Sequence, residues 1–377
     1  MQLTITPSGA ITALISIYKM SFSQKLKASI LKRLTRKKSI DFDIKKSQSV
    51  LFLRYDRIGD MVITTPVFRE LKLAYPDISI TVLASKANQN VLLNNPYVDH
   101  IITNHKNSLF QDLPLLLKLR RQKFDACVEF DHSVVPHAIL RLKIINPKKV
   151  ISVKKDGRYG VNGSELSLYD FYTDKPKKSH FRDIWLATLK PFDVKPKSNN
   201  YDLFITDTQQ KQAQNFIKQY SSKFLVGINL EGAVKGKKIK FSELWQICQG
   251  LHKANNNIQV IILTTPGNLQ SIYEKVTEGS LDYVVTSYKT DTILDAAALI
   301  SQLDLIITPD TSIVHIASAF NKPIVTIHEN NQDSYQLFSP VSTISKTVFS
   351  NSKKSLKGYP LDLLLSYSKD IISRRQA

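Results

Sequence analysis

The sequence predicts an α/β protein built from two Rossmann-like, doubly wound parallel sheets facing a cleft, and three observations point there. Short apolar runs alternate with helical patterns, as in parallel sheets. The alternation pauses over residues 190–200, which hold two prolines and a polar run, and then restarts. In both halves a strand ends in a loop rich in charge or in small polar residues. That is where ligands bind in such folds, outside the carboxyl ends of the strands.

The elements follow in order. Residues 48–55 read as a buried strand, followed by a turn at Gly59 and a helix over 65–74. Strands are predicted at 78–83, 98–102 and 125–130, with helices at 88–93 and 113–121 between them. Residues 154–179 are polar, rich in Gly, Lys and Tyr, and read as loops over a cleft, before a helix at 181–190. The second half reads helix 209–220, strand 224–229, helix 242–252, strand 258–263, helix 269–276 and strand 283–286. It continues with helix 293–301, strand 305–308, helix 312–320 and a closing strand at 324–327. The domains expected are a basic amphipathic extension over 1–47, a first Rossmann-like domain over 48–195 and a second over 196–377. The last helix is expected to pack back on the first domain.

Composition narrows the class. At 377 residues the chain has room for two domains, and 42% hydrophobic with 22% charged residues is ordinary for a globular protein. The apolar stretch at 11–18 is too short to span a bilayer and lacks the flanks of a signal peptide. Met20 is an alternative start. Cys127 and Cys248 lie far apart in segments that read as buried, which fits a reducing cytosol rather than a disulfide. The net charge of +20 calls for an anionic partner. Much of it is local: residues 19–46 hold ten Lys or Arg against two Asp. Phe22, Leu26, Ile30, Leu31 and Leu34 recur there at helical spacing. A helix lying on an anionic membrane face and a solvated helix packing on its own domain are both compatible with that pattern.

Three constellations carry chemistry. The first is Arg54-Tyr55-Asp56-Arg57-Ile58-Gly59-Asp60, followed by Thr64-Thr65-Pro66. Gly59 permits a tight turn or a close backbone approach. Pro66 suits a first helical turn, with Thr64 or Thr65 as cap. Asp60 then reads equally as a helix cap or as a base. The second is the loop 229–240, with two glycines and four lysines before a helix, suited to phosphate or simply to solvent. The third is Asp310-Thr311-Ser312 with His315. Here a helix N-terminus offers its N–H groups to a diphosphate, and His315 shares a helical face with Thr311. Arg54, Arg57, Arg120, Arg121 and Arg158 are candidate contacts to an acidic ligand, Arg57 first among them.

These motifs, with Leu71 to Pro76, Asn94 to Asp99 and residues 304–327, resemble glycosyltransferase family 9, the ADP-heptose:lipopolysaccharide heptosyltransferases. The resemblance covers residues 48–330. It implies the two-domain GT-B fold, an inverting mechanism and no required metal or other cofactor. It makes Asp60 the catalytic base and a loop lysine, Lys238 with Lys237 adjacent, a contact to the donor phosphates. Asp310, Thr311, Ser312 and His315 would complete the donor site, and Arg57 and Arg54 would meet the acceptor. Two departures stand out. Lys240-Phe241 replaces the family's Trp-Pro, and Ser312 replaces the glycine of Asp-Thr-Gly-x-x-His. The partners implied are ADP-heptose or another nucleotide sugar, a phosphorylated lipopolysaccharide core and the anionic cytoplasmic face of the inner membrane. Competing classes fare worse. No zinc-finger, RNA-recognition or basic-zipper pattern supports nucleic-acid binding. No G-x-G-x-x-G follows a strand, as a nicotinamide enzyme would need. Asp60, Asp310 and His315 are all present, against a glycan binder that has lost its chemistry.

Overall fold

The computed structural model describes residues 22–374, apart from 39, 105–108, 159, 177 and 233–235. The apolar stretch 11–18, Met20 and Lys235 lie outside the described residues. The first half holds strands β1 (Ser49–Leu53), β2 (Ser79–Ser85), β3 (His100–Asn104), β4 (Ala126–Glu129), β5 (Lys149–Val153) and β6 (Phe171–Thr173). Its helices are α1 (Phe22–Leu34), α2 (Ile58–Ala74), α3 (Leu109–Arg121), α4 (Pro136–Ile145) and α5 (Phe181–Leu186). The second half holds β7 (Phe224–Asn229), β8 (Ile258–Leu263), β9 (Val284–Thr286), β10 (Leu305–Pro309), β11 (Ile324–His328) and β12 (Ser345–Phe349). Around them lie α6 (Asp207–Ile217), α7 (Phe241–Ala254), α8 (Leu269–Glu278), α9 (Ile293–Gln302), α10 (Ser312–Ala319), α11 (Gln332–Phe338) and α12 (Leu361–Arg374).

Both sheets are parallel throughout, and both have the same order. The first runs β3-β2-β1-β4-β5-β6 and the second β12-β11-β10-β7-β8-β9. Strand order reverses between β1 and β4, and again between β7 and β10. A crevice opens outside the carboxyl ends of the strands at such a reversal. The loops after β1 and β10 are the first and third motifs, and the lysine-rich loop follows β7. The central strands are buried on both faces, which explains their unbroken apolar runs. One core cluster is shared by the two halves: Val50, Phe52 and Phe68 belong to it together with Leu294, Val314 and Ala317. Separate clusters fill the outer face of each sheet.

Several expectations are corrected. The second helix begins at Ile58 rather than near 65, so Pro66 stands inside it and neither threonine is its cap. A mid-helix proline removes one N–H bond to the carbonyl four residues back. That carbonyl belongs to Val62, and the Thr65 hydroxyl donates to it at 2.8 Å instead. The stretch read as loops contains β6, and β11 does not close its sheet, because β12 pairs along its outer edge. The last helix does not return to the first domain. Leu364, Ile371 and Ile372 of α12 join the outer core of the second sheet. Leu365 rests on Gly250 of α7, where a Cβ would come within 2.7 Å of its methyl carbons.

Between 193 and 206 the chain forms no helix or strand, and α2 grips it. Arg69 donates to the carbonyls of Ser198 and Asn200 and pairs with Asp202. Glu70 accepts from the N–H groups of Lys197 and Ser198. The helix that carries Asp60 is thereby tied to the connection between the halves. No described helix is long and apolar enough to cross a membrane.

Candidate active site

At the first reversal, β1 delivers Arg54 and the turn to α2. Arg54 was expected at the acceptor, but it is buried. Its guanidinium lies 3.8 Å over the Trp185 ring, a cation–π contact that holds it flat. One terminal nitrogen donates to Asp56 at 3.0 Å and the other stands 3.4 Å from Asp60 Oδ1. Nε donates to the Asp60 carbonyl. With these partners Arg54 positions the carboxylate and has no surface to offer an acceptor.

Asp60 is the third residue of α2, and its Oδ2 accepts the Arg57 N–H at 3.3 Å. It therefore caps its helix, through a long bond, while its side chain stays 16% exposed toward the crevice. Arg57, the residue before the helix, is exposed beside it. Arg120, Arg121 and Arg158 are exposed on α3 and in the loop after β5.

The end of β4 supplies groups that the sequence reading passed over as strand. Glu129 is buried, paired with the equally buried Lys155 and bonded by Ser152 Oγ at 2.8 Å. Burial works against its charge, but Lys155 and these hydrogen bonds hold it below the usual carboxylate range. Asp131 lies next to it. Burial first, then the Glu129 charge, pushes its carboxyl well above the usual range. Of the two, Asp131 is the one whose surroundings favour holding a proton. His132 follows at the rim, its ring 5.2 Å from that of Phe181 and kept neutral by partial burial.

At the second reversal, Asn229 ends β7 and fastens three chain segments. Its Nδ2 donates to the Glu231 carbonyl, to Thr308 Oγ1 and to Thr311 Oγ1, at 3.0, 3.0 and 3.1 Å. Thr311 is the N-cap of α10, accepting the Ile313 N–H at 3.2 Å. Asp310 is bonded by Lys237 Nζ at 3.3 Å, and the same ammonium lies 3.2 Å from Glu329. The two lysines diverge. Lys237 is 15% exposed between these carboxylates, whereas Lys238 is 55% exposed and pairs with Glu231. The structure thus brings Lys237, rather than the preferred Lys238, to the Asp310–Thr311–Ser312 turn. Neighbours in an irregular loop point apart, and tertiary contacts decide which one turns inward.

His315 is the fourth residue of α10. It is buried between α10 and α2, with ring contacts to Tyr201 and Phe338. Burial lowers its pKa to about 3, so it is neutral. Its Cδ2 would stand 2.7 Å from a Cβ on Gly59, and the Cα of Ser312 at 3.6 Å. Gly59 is needed for close helix approach and not for a turn. This contact sets Asp60 of one half beside the N-terminus of α10 of the other.

A cavity of about 220 Å³ opens at this junction, lined by Ile58 and Asn90 from one half and Asn229, Thr264, Asn268 and Ile313 from the other. A larger hollow of about 630 Å³ lies beside the connection, lined by Asp174, Asp183, Lys190 and Lys197. It holds none of the strand-end motifs, whereas the smaller cavity borders their turns through Ile58, Asn229 and Ile313.

The family model for glycosyltransferase family 9 (heptosyltransferase) matches residues 114–358. The chain is 24% identical over 287 residues to a putative lipopolysaccharide heptosyltransferase 4 of Escherichia coli, covering 74% of this chain and 73% of that protein. It is 24% identical over 284 residues to the lipopolysaccharide core heptosyltransferase OpsX of Haemophilus influenzae, covering 74% and 79%. Its fold is that of a family 9 glycosyltransferase from Veillonella parvula, with a TM-score of 0.71 at 16% identity over 88% of this chain and 99% of that one. The ADP-heptose lipopolysaccharide heptosyltransferase II of E. coli superposes with a TM-score of 0.68 at 16% identity over 87% and 100%. The fold is GT-B.

Proposed function

This chain belongs to glycosyltransferase family 9, and from that premise we propose that it moves a heptose from ADP-heptose to the phosphorylated inner core of lipopolysaccharide, with inversion and without a metal. The observation that carries this reading is the Gly59–His315 contact, which brings a carboxylate of one half beside a helix N-terminus of the other. Transfer needs both: a base for an acceptor hydroxyl and a positive site for a departing diphosphate.

Asp60 takes the proton of the acceptor hydroxyl as its oxygen attacks the anomeric carbon from the face opposite the diphosphate. The carbon–oxygen bond to the diphosphate breaks, and ADP leaves with that electron pair. One displacement inverts the centre, and one carboxylate suffices because no glycosyl-enzyme forms. The N-terminus of α10, with Thr311 and Ser312, receives the diphosphate. Asp310 and Glu329 would repel it if left alone, and Lys237 offsets them. Lys238, exposed at the same loop, is the second ammonium within reach. Arg57 meets the acidic acceptor. Such an acceptor is lipid-linked, which fits a chain working on the cytoplasmic face of a membrane.

The test is a thermal-shift and transfer screen of the purified chain with ADP-, UDP- and GDP-sugars. Stabilisation by ADP and release of ADP from ADP-heptose only when a phosphorylated core acceptor is added are expected, with the rate unchanged in EDTA. Stabilisation by UDP or GDP alone would replace the donor, and loss of the rate in EDTA would remove metal independence.

A further inference from the structure

Helices α1, α3 and α4 form one layer on the outer face of the first sheet. Ala28, Leu31, Leu116, Leu119, Ile139 and Leu142 turn inward to a common core. What the layer shows to solvent is unusual in two ways. It is apolar where it ought to be wet: Phe110 is 90% exposed, Leu113 40% and Leu117 44%, all along one ridge of α3. Leu26 and Ile30, one turn apart on α1, are 52% and 49% exposed. The apolar stripe of α1 is thus divided, with Leu31 facing α4 and Leu26 and Ile30 facing out.

The layer is also charged with one sign. Its helices carry Lys25, Lys27, Lys32 and Arg33, then Lys118, Arg120 and Arg121, then Arg141 and Lys143. Their one carboxylate, Asp112, is buried and paired with the buried Arg141 at 2.8 Å. That ion pair pins α3 to α4 and leaves no carboxylate of these helices exposed. Lys32 reaches Glu165 at the edge of the layer, while Lys25, Lys27, Lys118 and Arg121 remain exposed.

Direction matters as well. In a parallel sheet α3 and α4 run back from the carboxyl ends of the strands, so Phe110 lies at the crevice end of its helix. Lys143, near the far end of α4, donates to the Arg36 carbonyl just past the end of α1. The helices of the layer therefore start on the crevice side.

We propose that this layer is a membrane-docking face, in which Phe110, Leu113 and Leu117 of α3, with Leu26 and Ile30 of α1, enter the interface of an anionic bilayer while the flanking lysines and arginines lie on its headgroups. Apolar side chains at the acyl boundary and basic ones at the phosphates are the two terms of interfacial binding. Nucleic acid would account for the charge but not for an exposed phenylalanine ridge. Docked in this way, the chain holds its crevice at headgroup level, where a lipid-linked acceptor presents its sugars. The surface deepens the proposed function through that acceptor, but its physical basis is independent of the reaction.

The experiment is flotation of the full chain with vesicles of phosphatidylcholine alone and of phosphatidylcholine with one-quarter phosphatidylglycerol. The wild type should bind the anionic vesicles selectively. Phe110→Ser with Leu117→Ser should weaken binding by about tenfold or more. Lys27→Gln with Lys118→Gln should weaken it by about thirtyfold. Both variants should retain wild-type thermal stability and wild-type transfer to an acceptor lacking lipid chains. Binding unchanged in the Phe110/Leu117 variant, equal binding to neutral vesicles, or displacement from vesicles by a DNA duplex at equal charge would each overturn the docking face. A wild type that binds anionic vesicles but transfers no sugar would overturn the proposed reaction and still support this surface.

Discussion

Gly59→Ala would test the join between the two halves. A Cβ there would sit 2.7 Å from His315 Cδ2, against roughly 3.5–4.0 Å for an ordinary carbon contact. About 1 Å of relief is needed, and little can supply it. The His315 ring is buried, with Tyr201 and Phe338 against it, and Ser312 Cα lies just beyond. Helices α2 and α10 must therefore move apart. Overpacking of this kind costs about 1–3 kcal/mol. Alanine recovers about 1 kcal/mol through its better helix propensity, so the net loss should be about 0–2 kcal/mol.

The single variant is thus a blunt measurement, and a double-mutant cycle sharpens it. His315→Ala removes the ring that the new methyl would strike. In that background Gly59→Ala should be neutral or slightly stabilising, giving a coupling of about 1–3 kcal/mol. Urea unfolding of the four proteins measures it. ADP affinity, followed by calorimetry, should fall in Gly59→Ala because the N-terminus of α10 shifts against Asp60. If the two stability changes simply add, within about 0.5 kcal/mol, the contact does not join the halves as described.

Asp60→Asn keeps an acceptor for the Arg57 N–H, so the fold and ADP binding should be spared while kcat falls by about 10²–10⁴; near-normal single-turnover rates would dismiss Asp60 as base. Lys237→Met leaves Asp310 and Glu329 without their shared cation and should weaken ADP binding by about tenfold or more, with Lys238→Met measured beside it by calorimetry; if only Lys238→Met weakens binding, the outer lysine is the phosphate contact. Burial holds His315 at about 3 and His180 at about 4, below the usual 6.5 of an imidazole. Between those values and 6.5 the unfolded chain binds more protons than the folded one, so this stability is complete above about pH 6.5 and declines as pH falls. Each histidine contributes about 2 kcal/mol of that loss by pH 5, so a His315→Gln variant should lose about 2 kcal/mol less than wild type between pH 7.5 and pH 5 in urea titrations; parallel slopes would refute it.

The legible elements were those whose physics is local. β1, β7, β8, β10 and β11 are short apolar runs, because central parallel strands are buried on both faces. β6 has three residues, and β12, Ser-Lys-Thr-Val-Phe, is a half-exposed edge that carries no such run. Pro66 was misleading because proline is commonest in a first helical turn, and the Thr65 hydroxyl that repairs its missing bond is invisible until the helix is built. The strand-end motifs were legible because charge and small residues crowd where strands stop. What each side chain does there was not. Arg54 is held by Trp185, 131 residues further on, and Glu129 and Asp131 meet Lys155 only after β4 and β5 pair.

Two reversals of strand order with one architecture leave charge to decide which side does what. Around the first stand the carboxylates Asp56, Asp60 and Glu129, with Arg54 and Lys155 held inside as their counterions. A diphosphate would be repelled there, whereas a hydroxyl that must lose a proton finds a carboxylate ready to take it. Around the second, the carboxylates Asp310 and Glu329 already share Lys237, and the N-terminus of α10 adds its own positive end. A diphosphate is favoured there, and a base has no work to do. Exchanging the two ligands between the halves would set the diphosphate against the carboxylates of the first and take the acceptor hydroxyl away from Asp60. The proposed assignment of acceptor to the first half and donor to the second follows from that electrostatic asymmetry, and the Gly59–His315 contact keeps the two environments close enough for one sugar to pass between them.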